Sequence, residues 1–515
     1  MSIVDLQLLS KKEYVEKERL IATVVRFVHD FREEIPANGY DKWERFQKEL
    51  TGSNYHDLLV RYIAMNLIDD KFDEAGNIIN KVDERIQELA DYGLSNQAEL
   101  KTELRWSMSN DFYRARGFAA ELGKKDKEKL LYADLVQIAK ELKSKRTPAV
   151  FLGSYLRDSY VQDKDAWTNI VRTFAKDDEL VYVVPMVIWH SDELTDEMVN
   201  LLINLAKAGK INPVEFILFE YGNFLNNVSP NIVEEWFNLL LSQNDISLTL
   251  IALSTHHHLY IHRGQNKTVP EKLTLALLTH PTFFTPSEKI RFDQMGEYNW
   301  REIATRFIEQ YPNHALEISG VVLEHFADDN TLFGSLFSTV HNIIGTIAQR
   351  YPELVWKQVA KYLDPPYDGR AFGIAYWLQG KSEILGGEDK PSPLDIFPEK
   401  TVWEWVNEDI DQRAWYFATF VPKTLHHEAG QTCWARELLV KYGHLESVRK
   451  NLHSNFRSGS WSGPTSQHFL KKREKAIEFR KNETNPQVME WLNEYIDRLE
   501  YDIQTEKIQE ERDDY

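Results

Sequence analysis

The sequence predicts an all-α protein organised as a right-handed solenoid of two-helix repeats, and three observations carry that prediction. Glycine and proline are scarce, 23 and 18 of 515 residues, which disfavours a turn-rich β architecture. Apolar residues recur at helical spacing over long stretches. From Pro230 onward, an aromatic–proline phrase returns about every 40 to 46 residues, the period of stacked helix pairs.

The first 35 residues read as one helix. Leu8, Val15, Ile21, Val25, Val28 and Phe31 share its apolar spacing, and Pro36 ends it. Further helices are expected over Asp41–Leu50, His56–Ile68, Lys71–Tyr92, Gln97–Met108 and Lys127–Leu142. Residues 1–149 thus form an N-terminal helical region with no evident repeat. The repeat array occupies 150–456, and a Gly/Ser loop with capping helices fills 457–515.

The repeat is clearest at Gln310-Tyr311-Pro312-Asn313-His314-Ala315-Leu316 and Arg350-Tyr351-Pro352-Glu353-Leu354-Val355-Trp356. It returns at Ile396-Phe397-Pro398-Glu399-Lys400-Thr401-Val402. Weaker copies stand at Pro230, Pro270 and Pro486, and a degenerate one at Lys441–Leu445. Proline holds the preceding aromatic extended, so one helix ends there. The same proline is tolerated at the start of the next helix, where its missing N–H costs nothing. The aromatic is then free to tuck between the two helices. An earlier pair, Gln162–Trp167 and Leu194–Val199, lacks the proline, and Asp or Thr is expected to cap its helices. One helix pair cannot bury its own apolar stripe, so HEAT/TPR-like stacking follows.

Composition narrows the function. Hydrophobic residues at 43% and 14 tryptophans supply a continuous core, which argues against general disorder. A single cysteine, Cys433, leaves no disulfide framework and no Cys-rich metal site. Met1–Leu20 is charged and lacks the apolar core of a signal peptide, and no apolar run reaches the roughly 20 residues of a membrane span. A soluble, cytoplasmic protein is expected. The net charge of −19 repels nucleic acid and anionic membranes. The short basic runs at Lys143–Arg146 and Lys471–Arg473 read as solvated helix ends.

Four patterns invite chemistry. Ala375–Ser382 loosely matches a phosphate loop ending in Gly380-Lys381-Ser382, but it reads as helix where a strand, loop and helix are required. His256, His257, His258 and His262 form the densest histidine cluster; His258 and His262 share a face, as zinc ligands do. A solvent-facing helix end is the expected reading. His426-His427-Glu428 with Cys433 suggests a thiol nucleophile, yet no base or oxyanion site is evident. Trp403/Trp405 and Trp415/Tyr416 read as packing rather than base-stacking platforms. No catalytic residue, cofactor or metal is therefore assigned. A divergent NTPase at 375–382 or a metal hydrolase at the histidines stands as the alternative.

Phe219-Glu220-Tyr221-Gly222-Asn223-Phe224 leads into Val233–Leu241, and Leu259-Tyr260-Ile261-His262-Arg263 follows. With the ending Ser458–Pro464 and Asn485-Pro486-Gln487-Val488-Met489-Glu490-Trp491, this stretch resembles the C-terminal helical-repeat regions of bacterial STAND-type NTPases of the antiviral AVAST kind. The likeness spans about 150–515. It implies a sensor that recognises a foreign protein, while a P-loop domain oligomerises and an effector acts. No credible Walker A or Walker B precedes the array, so the resemblance implies either a partner chain carrying the NTPase and effector or a free-standing binding protein. The expected partner is a phage protein or a cognate NTPase/effector chain.

Overall fold

The computed structural model describes residues 42, 52, 54–64, 70–72, 78–112, 114–143, 145–220, 224–262, 267–285, 294–325, 337–365, 367–380, 392–423, 425, 433–459 and 461–513. They fall into two compact units, 1–243 and 244–515. Apart from one short hairpin, the described residues of both are built of helices, so the fold class is all-α.

In the first unit, α1 (Tyr55–Leu59) runs into a π-helical turn. Strands β1 (Asp70–Phe72) and β2 (Ile78–Asn80) pair antiparallel, Lys71 opposite Ile79. Then come α2 (Lys81–Ser95), α3 (Gln97–Ser109), α4 (Ala115–Lys125), α5 (Tyr132–Glu141) and α6 (Thr147–Gln162). The unit ends with α7 (Lys164–Lys176), α8 (Val184–Trp189), α9 (Asp196–Lys207) and α10 (Pro230–Leu241). Packing runs from each helix to the next but one: α2 on α4, α4 on α6, α6 on α8, and α3 on α5. That is the connectivity of stacked helix pairs.

Two glycines set the spacing of this ladder. A Cβ on Gly123 would stand 1.9 Å from the Tyr155 carbonyl oxygen, and one on Gly153 would stand 2.7 Å from His190 Nδ1. Glycine lets α4 approach the α6 backbone and lets α6 approach the His190 ring. Trp167 and Trp236 are fully buried, the latter stacked on Phe216 at 3.9 Å.

The second unit begins with α11 (Ile246–His256), α12 (Glu271–Leu278), α13 (Gln294–Gln310), α14 (Ala315–Glu324), α15 (Phe337–Arg350) and α16 (Pro352–Ala360). Next are α17 (Gly369–Gln379), α18 (Glu399–Glu408), α19 (Trp415–Phe420), α20 (Trp434–Tyr442), α21 (Glu446–Arg457), α22 (Thr465–Asn482) and α23 (Pro486–Asp513). The same next-but-one packing recurs, with α11 on α13 and α13 on α15. It continues with α14 on α16, α16 on α18, α17 on α19 and α19 on α21.

Polar side chains tie each repeat to the last one. The Tyr311 hydroxyl donates to the Val269 carbonyl at 2.9 Å, and the Val269 N–H donates to Gln310 Oε1 at 3.0 Å. Gln358 Nε2 donates to the Leu316 carbonyl, Trp405 Nε1 to Asp364, Trp434 Nε1 to Asp395, and Trp491 Nε1 to the Arg449 carbonyl. Each bond spans 39 to 42 residues, so the period read from proline spacing is also the period of the bonds.

The proline phrase marks helix starts throughout. Pro230, Pro352 and Pro486 occupy the first position of α10, α16 and α23. Pro270 and Pro398 stand just before α12 and α18. Pro312 opens a 3₁₀ turn ahead of α14, and the degenerate copy at Gly443 separates α20 from α21. Asp163 and Thr195 cap α7 and α9 through their side chains. Phe397 differs from expectation: it follows a 3₁₀ turn, Pro393–Ile396, rather than an α-helix. It still buries itself against Trp356 and Trp377.

Two predicted helices are corrected. Lys71–Tyr92 is a hairpin and then a helix from Lys81. The β-branched pair Ile78-Ile79 favours strand, and Gly76 interrupts the helical pattern. Lys127–Leu142 begins only at Tyr132. Buried Asp126 accepts the Leu130 and Leu131 N–H groups at 2.9 Å each, and Lys129 takes φ +55°. Local side-chain bonding of this kind competes with helix initiation. Gln97–Met108 agrees with α3. The helix expected over the first 35 residues lies outside the described residues, as does Asp41–Leu50 except Lys42. Of His56–Ile68, the part beyond Ala64 also lies outside them. Among the described residues, no helix is long and apolar enough to cross a membrane.

Candidate functional site: a basic cleft on the α2–α4–α6–α8 ladder

The patterns singled out in the sequence are placed as follows. Ala375–Gln379 is the end of α17, and Gly380 closes it in the left-handed conformation at φ +79°. A helix thus ends where a phosphate loop would begin one; Lys381 and Ser382 lie outside the described residues.

The histidine cluster is a solvent-facing helix end only at its far side, where His258 is half-buried and His262 exposed; for His256 and His257 the expectation is corrected. His256 and His257 are buried, at 0% and 6% exposure, and α11 continues into a π-helical turn, His257–His262. Burial pushes His256 down to about 3 and His257 down to about 4. His256 Nε2 stands 2.9 Å from Thr274 Oγ1. The rings of His258 and His262 meet edge to face at 5.5 Å. Among the described residues, no group of three or more His, Cys, Asp or Glu is placed to hold a metal ion.

Cys433 is buried, and burial raises its thiol above the ordinary value, the opposite of what a nucleophile needs. His426, His427 and Glu428 lie outside the described residues. Trp403 and Trp405 are core: Trp403 packs on Phe417 and Trp434, Trp405 on Trp356. The basic runs are occupied, Lys143 with Glu179, Arg146 with Glu215 and Arg473 with Glu500.

What sequence reading missed is a cleft of about 260 Å³ lined from α2 to α8. Asp83 comes from α2; Arg116 and Gly117 come from α4, with Arg114 immediately before it. Ser154 and Arg157 come from α6, and His190 closes the end of α8. The Arg116 guanidinium lies over the Trp189 ring, 4.4 Å from its centroid. Arg157 pairs with Asp192 at 2.6 Å. Partial burial and the neighbouring Arg157 charge push Arg116 below the ordinary arginine value, with Asp192 pulling the other way.

At the floor, His190 Nε2 stands 2.8 Å from Ser154 Oγ, and Nδ1 stands 2.8 Å from the Met186 carbonyl. A carbonyl only accepts, so Nδ1 carries the proton and Nε2 is left as an acceptor; the one Ser154 hydroxyl hydrogen is shared between Nε2 and the Val150 carbonyl, each 2.8 Å away. Burial holds the imidazole neutral, down to about 4. A serine bonded to a neutral imidazole is part of a nucleophilic arrangement, but acyl chemistry also needs N–H donors aimed at a developing oxyanion. Ser154 and His190 are 1% and 2% exposed, and Ser154 lies inside helix α6, whose interior N–H groups are already bonded. The pair reads as a packing bond between α6 and α8.

A second cavity, about 430 Å³, opens between α13 and α15 beside Glu309, Arg350 and Tyr351. Comparison of the chain with protein-family models, curated proteins and solved structures finds no match.

Proposed function

We propose that the chain is a non-enzymatic protein-recognition and scaffold module, read as a right-handed HEAT-like solenoid and as the sensor component of a bacterial anti-phage defence system. The repeat-spaced bonding typified by Tyr311 and Val269 supports this reading. It describes helix pairs that stack in register and leave their outer surfaces to a partner. The burial of Trp403, Trp405, Tyr416 and Cys433, from the patterns that suggested chemistry, supports it as well. The sensor role itself rests on the resemblance of residues 150–515 to antiviral STAND repeat regions. A phage protein or a cognate NTPase/effector chain is the partner that resemblance implies, and the cytoplasm is where such a sensor would act. The charge of −19 favours a protein ligand over nucleic acid.

Cross-linking in cells during phage challenge, read by mass spectrometry, tests the proposal. Cross-links from lysines on one face of the array to a single phage or P-loop protein support it. Cross-links confined to the chain itself in challenged and unchallenged cells oppose it.

A further inference from the structure

We infer that the cavity between α13 and α15 is a site for a small aliphatic carboxylate, with the alkyl part on its isoleucine wall and the acid group at Arg350. The inference goes beyond the recognition reading above and does not depend on it.

The first ground is a break in the repeat. At the preceding junction, Gln310 Oε1 accepts the Val269 N–H and the Tyr311 hydroxyl donates to the Val269 carbonyl. One repeat later the same two positions hold Arg350 and Tyr351, and the position of Val269 is held by Tyr311 itself. Arginine has no acceptor to offer. The Tyr311 backbone is already committed, its N–H to the Phe307 carbonyl at 2.7 Å and its carbonyl to the His314 N–H at 3.1 Å. Among the described residues, neither Arg350 nor Tyr351 makes a side-chain hydrogen bond or ion pair. Where the earlier junction closes on itself, this one keeps a cavity of about 430 Å³ lined by both residues.

The cavity is not a parted joint. On the other side of the same junction, between α14 and α16, Gln358 Nε2 donates to the Leu316 carbonyl at 2.9 Å. The space is therefore built into a repeat that is otherwise locked. Its volume lies in the range of about 300–1,000 Å³ common to small-molecule sites.

The lining sets the ligand class. Ile308, Ala315, Ile343 and Ile347, each 5% exposed or less, form an aliphatic wall, and an alkyl chain laid there gains by leaving water. Among the described residues, Arg350 is the one cation that lines the cavity. Glu309, on the α13 wall, has a cation of its own in Arg306 at 3.6 Å. A guanidinium without an internal acceptor pairs with a carboxylate through charge-assisted bonds. A second negative charge on the ligand would meet Glu309, which selects a monoacid.

The experiment is isothermal titration calorimetry of the full chain with octanoate, and with octylamine and octanol as its cationic and neutral counterparts. A short peptide ending in leucine with a free carboxylate, and its amide, separate a chain terminus from a free acid as the source. Arg350→Gln is compared with Lys357→Gln, which changes the net charge equally on α16, and circular dichroism melting checks both folds. The expected result is binding of octanoate or of the free-carboxylate peptide, weakened about tenfold or more by Arg350→Gln and left unchanged by Lys357→Gln. Whichever of the two acids binds more tightly names the source. No binding of either acid, equal loss in both variants, or no loss in Arg350→Gln overturns the site. Equal binding of octylamine, octanol or the amidated peptide overturns the carboxylate assignment. None of these outcomes touches the recognition reading, which the cross-links decide separately.

Discussion

The Tyr311 hydroxyl donates to the carbonyl of Val269, 42 residues earlier, at 2.9 Å. Tyr311 is the aromatic of one proline phrase, and Val269 precedes the proline of the phrase before it. The residue that ends a helix in one repeat therefore satisfies the backbone that starts a helix in the preceding one. Gln310 completes the contact by accepting the Val269 N–H at 3.0 Å.

Removing that contact should cost stability in two unequal steps. Tyr311→Phe deletes one hydroxyl and is expected to lower unfolding free energy by about 1 kcal/mol. Gln310→Ala leaves the part-buried Val269 N–H without its acceptor and should cost about 1–3 kcal/mol. Urea denaturation of the two variants and the double variant checks this. A double-variant loss different from the sum of the single losses is expected, because both side chains hold one peptide unit.

Two glycines on α4 should respond in opposite directions. Gly123→Ala drives a methyl into the Tyr155 carbonyl oxygen, 1.9 Å away, and should destabilise by about 1–3 kcal/mol. Gly117→Ala meets nothing within 4 Å and should stabilise by up to about 1 kcal/mol through helix propensity. Thermal melts of both variants decide the matter.

Acid should weaken the fold before its carboxylates titrate. His190, His257 and His453 are each held down to about 4, and His256 to about 3, in every case mainly by burial. An unfolded histidine titrates near 6.5, so between 6.5 and 4 the unfolded chain binds more protons than the native one. Stability from these groups is complete above 6.5 and is lost as pH falls toward 4, by about 1–2 kcal/mol per histidine at pH 5. His314 acts in the opposite sense: Glu317 and Glu271 raise it, so its contribution is present below 6.5 and lost as pH rises. The melting temperature should fall between pH 7 and pH 5, and His453→Leu should flatten that slope.

Ion pairs should differ by burial rather than distance. Arg436 Nε reaches Glu483 at 2.7 Å, and the Glu483 side chain is 5% exposed. The Arg436 bonds and two backbone N–H groups hold its carboxyl below the usual range against the opposing effect of burial. Arg436→Ala leaves that carboxylate buried without its cation and should cost about 2–3 kcal/mol. Lys450 and Glu446 also pair closely, at 2.6 Å, but are 71% and 70% exposed; Lys450→Ala should change stability by less than about 0.5 kcal/mol. Denaturant midpoints of the two variants provide the comparison.

Much of the fold was legible because its signals are local. Proline before a helix acts through its own ring and its immediate neighbour, so Pro230, Pro352 and Pro486 could be read directly. Asp163 and Thr195 were legible as caps for the same reason. The Asp126 turn was not, because the carboxylate that stops the helix also accepts the Tyr155 hydroxyl at 2.7 Å from another helix. The cleft was invisible for a related reason. Asp83, Arg116, Arg157 and His190 stand 33 to 41 residues apart in sequence, and none belongs to a motif. Only stacking brings them to one face, although the pair Arg114 and Arg116 flanking a helix start in an acidic chain was a faint signal. The histidine run misled because consecutive polar residues suggest solvent, whereas the π-helical turn and the adjoining helix bury two of them.

Whether the chain works by recognising a protein, as proposed, is tested most directly by affinity purification from cells with and without phage challenge. Tagged wild-type chain is isolated under both conditions, and copurifying proteins are quantified against it. One phage protein or P-loop NTPase at near-equal stoichiometry is the expected result. Recovery of the chain alone in both conditions, together with nucleotide hydrolysis abolished by Lys381→Ala, would contradict it.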